Sequence, residues 1–126
     1  MGYRSQVKIL LTFSEELKRD VFFAKMSENL NFVGDLSESR TNHDNLNDGL
    51  FRTLYEFDNV KWYDSYVDVK AWTALMESIN TDWKGVACEF IRVGENEGDV
   101  VHEGYASDDM NVDHCMYTST SIEVDF

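Results

Sequence analysis

A chain of 126 residues with 43% hydrophobic and 13% aromatic side chains is long enough to bury one core and too short for two, so a single domain over residues 1–126 is expected. This composition excludes a disordered chain, no run approaches the ~20 apolar residues of a membrane span, and the first residues lack an apolar signal core, so a soluble cytoplasmic protein is expected. The net charge of −13 is concentrated between Val93 and Phe126, which hold nine carboxylates and no Lys or Arg; such a field excludes direct nucleic-acid or anionic-membrane binding and favours a basic partner.

From Tyr3 to Phe13, apolar residues at Val7, Ile9, Leu11 and Phe13 alternate with Arg4, Gln6, Lys8 and Thr12, which predicts a strand with one buried face. Ser14 before Glu15-Glu16 predicts a helix cap, with Leu17, Val21 and Ala24 beside Phe22, Met26 and Leu30 forming a broad apolar stripe. Residues 33–49 are polar, rich in Ser, Asn and Asp, and without a sustained period; they read as a long surface loop, or as a loop hiding one short element.

Leu50–Phe57 and Val60–Tyr63, separated by Asp58-Asn59, read as two strands around a tight turn, with one bent strand as the competing reading. Ser65-Tyr66-Val67-Asp68 has the form of a capping box, and Val69, Trp72, Met76 and Ile79 then mark one face of a helix from about Tyr66 to Ile79. Val86–Val93 is nearly continuous in apolar character and predicts an interior strand, to which Val100–Gly104 pairs back across the turn residues Gly94–Asp99. Met116 to Phe126 alternates strictly and predicts a half-buried final strand.

The resulting order, β-α-β-β-α-β with one or two extra strands, is that of an α+β domain. It predicts a ferredoxin-like core, with two helices on one face of a mainly antiparallel sheet.

No catalytic motif emerges, and none of the patterns below implies a cofactor. Asp109-Met110-Asn111-Val112-Asp113 imitates the first half of a calcium loop, but His114 and Thr120 stand where the turn glycine and the bidentate Glu belong. His43, His102 and His114 match no zinc spacing, so no metal site is expected. Cys88 and Cys115 form no C-x-x-C and read as reduced and structural. Cys115 beside His114 lacks nucleophile-elbow glycines, and Gly94, Gly98 and Gly104 sit among acids that repel phosphate.

Two candidate binding regions remain. One is the acidic third: Glu95, Glu97, Asp99, Glu103, Asp108, Asp109, Asp113, Glu123 and Asp125. Carboxylates two residues apart on an extended strand lie ~6.7 Å apart, close to the ~6.8 Å axial rise of two nucleotide steps, so Glu95/Glu97/Asp99 and Glu123/Asp125 would imitate a phosphate backbone if extended. The simpler account of the same acids is solubility. The other region is the aromatic joint of strand and helix, where Trp62, Tyr63, Asp64 and Tyr66 would line a pocket for a nucleotide or metabolite, or would simply be core and rim.

Four segments carry a resemblance: Met1-Gly2-Tyr3-Arg4-Ser5-Gln6-Val7, Val60-Lys61-Trp62-Tyr63-Asp64-Ser65-Tyr66, Glu89-Phe90-Ile91-Arg92-Val93-Gly94-Glu95 and Thr120-Ser121-Ile122-Glu123-Val124-Asp125. In these the chain resembles a loose group of small proteins encoded by bacteriophages and prophages. It departs from the group at Val67, where proline is common, and in its long first loop. The resemblance implies an accessory protein acting in the host cytoplasm and assigns no catalytic residue. With the acidity, it leads to the expectation of a non-enzymatic protein that inhibits a host nucleic-acid-processing or defence protein by binding its basic surface. Sequestration of a small ligand at the aromatic joint, and a structural or assembly role as a possible homodimer, are the alternatives.

Overall fold

The β1 strand (Ser5–Phe13) lies at the centre of a five-stranded sheet of order β2-β3-β1-β4-β5, in which every neighbouring pair is antiparallel. The structure, a computed structural model, describes residues 2–29, 39–44, 48–111, 115–118 and 122–124. The other strands of the sheet are β2 (Arg40–Asn42), β3 (Phe51–Val60), β4 (Val86–Gly94) and β5 (Val100–Ala106). Alternation along β1 sends Val7, Ile9, Leu11 and Phe13 to one face. There they pack in one cluster with Phe22 and Met26 of α1 (Glu16–Ser27) and with Trp72, Met76 and Ile79 of α2 (Val67–Ile79). Both helices therefore cover the same face, and each fully buried side chain of this kind contributes about 1.5–3 kcal/mol relative to exposure.

The opposite face is covered differently. Leu10, Leu54 and Ile91 form a second, smaller cluster with Met116 and Ile122, which belong to a separate two-stranded hairpin, β6 (Met116–Thr118) and β7 (Ile122–Val124). The fold is thus α+β, with two helices on one face and a C-terminal hairpin on the other.

Several sequence expectations need correction. Leu50–Phe57 and Val60–Tyr63 are not two strands: β3 runs unbroken from Phe51 to Val60, as the bent-strand reading had it. Asn59 adopts φ 56°, the left-handed conformation expected of a turn residue. Here it makes a bulge instead, since Val7 pairs with Phe57 and Ser5 with Val60 across an irregular register. The missing short strand is β2, inside the stretch read as a loop; at three polar residues it is too brief to show a period. Residues 33–38 and 45–47 of that stretch lie outside the described residues.

Neither proposed hydroxyl cap forms. At α2 a turn in which the Tyr66 amide donates to the Tyr63 carbonyl (2.9 Å) makes Tyr66 the cap residue. This shifts the capping frame by one residue, and Asp68 instead accepts from the Val69 amide (2.9 Å). At α1 the cap is Glu15, while the Ser14 amide is tied to the Gly85 carbonyl at 2.9 Å.

The α1 stripe is narrower than expected, with Leu17 and Val21 69% and 52% exposed, because the helix turns Arg19, Phe22 and Met26 to the sheet. The final alternating segment is a hairpin rather than one strand, since Met116 pairs with Val124 and Thr118 with Ile122. Period-two alternation survives a reversal, and the segment between carries no Gly, Asn or Asp to announce one.

Candidate functional site

Tyr3 joins the two regions singled out from the sequence. Its amide donates to the Tyr63 hydroxyl (2.6 Å), and its own hydroxyl donates to Asp99 Oδ2 (2.5 Å) while accepting from the Asn96 amide (2.9 Å). Asp99 also receives two bonds from the Arg92 guanidinium, at 3.1 and 2.8 Å. This bidentate pair, helped by Tyr3, holds the Asp99 carboxyl down at about 2. The Asn96 amide pulls the Tyr3 hydroxyl down, but the Asp99 bond together with burial leaves it above its ordinary value. Arg4 closes the cluster, its amide donating to Glu95 (2.9 Å) and its guanidinium to the Asn59 carbonyl (3.3 Å).

The aromatic joint is packed rather than hollow. Trp62 lies between Phe57 and Phe90, with ring centroids 6.2 and 5.9 Å away, and fastens the end of β3 to the helix-covered core. Tyr63 and Tyr66 meet edge to face at 5.1 Å, and Asp64 is exposed beside them. Tyr66 is 39% exposed and Val67 60%, so the start of α2 shows an apolar, aromatic surface, which the Tyr63–Tyr3–Asp99 bonds tie to the 95–99 turn. Two grooves of about 320 and 270 Å³ lie elsewhere, one along Met26, Ala71 and Leu75 and one along Leu17, Val21 and Trp83.

The seven of the nine acids that are described do not form one surface. Glu95 and Glu97 are exposed in a turn with Asp99, which folds back so that its amide donates to the Asn96 carbonyl (3.1 Å). The expected extended spacing is therefore absent there, because Asn96 and Gly98, the latter at φ 80°, close the chain into a β4–β5 connection. Asp108 and Asp109 lie at the other end of β5, roughly 20 Å away at ~3.3 Å per residue.

There Asp109 is a structural acceptor. The Gly85 amide (2.8 Å) and the Ser107 hydroxyl (2.7 Å) both donate to it and lower its pKa, and Lys84 approaches Asp108 at 3.7 Å. Glu103 stands midway along β5, accepting from the Tyr105 hydroxyl at 2.5 Å; burial and this carboxylate push the Tyr105 hydroxyl up. Glu123 is exposed on β7, and Asp113 and Asp125 lie outside the described residues.

No protein-family model, curated protein or solved structure matches the chain.

One acid was missed entirely. Glu89 lies in the apolar β4 run, yet its side chain is 1% exposed beneath the β6–β7 hairpin. Its Oε1 accepts from the amides of Cys115 (2.8 Å) and Met116 (3.3 Å), and its Oε2 meets His102 Nε2 at 2.5 Å. Gln6 adds a second anchor by accepting from the Ile122 amide at 3.1 Å. The signal was present as the single charge within the otherwise apolar run Val86–Ile91, a placement that requires partners. Arg19 is a similar case, 6% exposed in α1 and bidentate to Asp44 at 2.6 and 3.2 Å.

The remaining sequence candidates are accounted for locally. His43 Nε2 lies 3.0 Å from the Thr41 hydroxyl, His102 is engaged by Glu89, and His114 lies outside the described residues. Among the described residues no three His, Cys, Asp or Glu side chains converge as metal ligands. Both cysteines are free thiols on opposite faces of the sheet, Cys88 in the helix-side core and Cys115 against the hairpin-side cluster. No helix of the described residues is long and apolar enough to cross a membrane.

Proposed function

We propose that this chain is a binding protein that engages the basic surface of another protein through the end of the sheet where the 95–99 turn meets the start of α2. The observation that carries the reading is the Tyr3 bridge, which ties the turn bearing exposed Glu95 and Glu97 to Tyr63, close in sequence to exposed Asp64, Tyr66 and Val67. An exposed aromatic and aliphatic centre beside charged side chains is the anatomy of a protein-recognition patch, and here acids stand with the basic Arg4 and Lys61. In the network beneath it, Arg92, Asp99, Tyr3 and Tyr63 are hydrogen-bonded to one another.

The chemistry suits a host protein built to hold nucleic acid, and a phage accessory inhibitor of such a nucleic-acid-processing or defence enzyme is the role we assign. The acids would act as a rim of charge, not as an extended copy of a phosphate backbone. The antiparallel order β2-β3-β1-β4, with both helices on one face, supports reading the core as a ferredoxin-like split β-α-β unit to which β5 and the hairpin are added.

The test is inhibition of nuclease or helicase activity in a bacterial lysate by the wild-type chain and by a Glu95→Lys/Glu97→Lys variant. The reading requires the variant to lose inhibition while its melting temperature stays within a few degrees, since both side chains are exposed and the one bond lost, from the Arg4 amide to Glu95, is at the surface where water replaces it. Equal inhibition by both chains would refute it.

A further inference from the structure

The hydrogen-bond phase of β5 shows which way its backbone points. The Gly94 amide donates to the Asp99 carbonyl (2.9 Å) at one end, and the Ser107 amide to the Val86 carbonyl (3.0 Å) at the other. Bonding pairs alternate in an antiparallel ladder, so Val101, Glu103 and Tyr105 bond inward to β4, while Val100, His102, Gly104 and Ala106 direct their amides and carbonyls outward. The chain itself takes the outer amides at both ends: Val100 donates to the Gly98 carbonyl (3.0 Å), and Ala106 to the Asn80 side chain (3.1 Å). Gly104 lies between them, exposed and without a side chain to fend off another backbone.

Edge strands are commonly protected by Lys, by Pro or by being very short. The β2 edge is three residues long, whereas β5 has seven and contains no Lys, Arg or Pro. Acids stand along it instead: Glu95 and Glu97 before it and Glu103 within it, while Asp108 after it lies 3.7 Å from Lys84. A second copy is a poor occupant. Antiparallel pairing about Gly104 would bring two Glu103 side chains close together and join two chains of −13 each.

We propose that β5 is a strand-addition site, centred on Gly104, for an extended basic segment of a partner protein. This rests on the reading of the chain as a binder of basic surfaces and gives that binding a backbone-mediated mode. Main-chain pairing supplies affinity, and Glu97 before the strand with Glu103 within it selects lysine- or arginine-bearing segments.

The probe is a labelled peptide of about seven residues alternating Lys and Val, compared by fluorescence anisotropy with the same peptide N-methylated at alternate residues and with a basic helix-forming peptide of equal charge. The expected result is binding of the first at least about tenfold tighter than either control. Gly104→Pro removes an outward amide while leaving the inward bonds of Glu103 and Tyr105 to β4, and should lower affinity for the alternating peptide to the level of the N-methylated one. Equal affinity for the methylated and unmethylated peptides, or no binding of either, overturns the proposal, and this arm stands even if Gly104→Pro fails to fold. Should strand addition fail while Glu95→Lys/Glu97→Lys still abolishes inhibition in lysate, the acidic-end reading survives alone; loss of neither refutes both.

Discussion

Replacing Glu89 by Ala should unseat the C-terminal hairpin. The carboxylate is 1% exposed and serves as common acceptor for the Cys115 and Met116 amides and as partner of the His102 ring. Truncation withdraws that acceptor from three donors beneath the hairpin. Each buried amide left in this way costs about 1–3 kcal/mol, so the Cys115 and Met116 amides together cost about 2–6 kcal/mol. Opposing this, Met116 and Ile122 are each 3% exposed and together hold the hairpin down with about 3–6 kcal/mol of burial.

The two magnitudes are comparable, so the hairpin escapes the unmet donors by detaching while the five-stranded sheet persists. Urea unfolding should show a loss of about 3 kcal/mol, and hydrogen exchange should show deprotection at Cys115, Met116 and Ile122 with β1 and β4 little changed. Glu89→Gln keeps an acceptor for the amides and should cost less than half as much. A Glu89→Ala loss under about 1 kcal/mol, with those three amides still protected, would refute the assignment of Glu89 as the anchor.

The Asp99 carboxyl is held at about 2, so the stability it contributes is complete above its ordinary value of 3.8 and is lost as pH falls toward about 2. An Asp99→Asn variant should be less stable at pH 7 and should show a flatter stability curve across that window; parallel curves for the two chains would contradict the Arg92–Asp99–Tyr3 network. Asn59 sits at φ 56°, so Asn59→Ala should cost about 1 kcal/mol by chemical denaturation and Asn59→Gly close to nothing, and equal losses would argue against the bulge. Burial, with the neighbouring Glu89 charge, pushes the Cys88 thiol far up, so a thiol reagent should modify Cys115 first and Cys88 only on unfolding; similar rates in the native protein would contradict this.

What the sequence made legible follows from strength of period. The alternation of Val7, Ile9, Leu11 and Phe13, and the helical recurrence of Val69, Trp72, Met76 and Ile79, located the central strand and α2 to within a residue or two. A bulge and a turn ask the same of Asn59, a positive φ, so the sequence signal alone could not separate one bent strand from two. Three polar residues at Arg40–Asn42 carry no period at all, and a hairpin of alternating residues looks like a strand unless a turn residue marks the reversal.

The candidate regions fared similarly. Composition identified the acids but not their partners, and only the fold reveals that Asp99 and Asp109 serve as internal acceptors while Glu95 and Glu97 face solvent. The link between the aromatic joint and the acidic turn runs through Tyr3, 60 residues from Tyr63 and 96 from Asp99, and separations of that length leave no local trace.

Recognition through one end of the sheet is a proposal that a hydrogen-exchange footprint can decide, taken on the chain bound to a basic protein that it captures from bacterial lysate. Added protection is expected at the amides of Glu95 to Asp99 and Asp64 to Val67. Protection confined to the α1 surface around Leu17 and Val21, with the 95–99 turn exchanging as in the free chain, would contradict it.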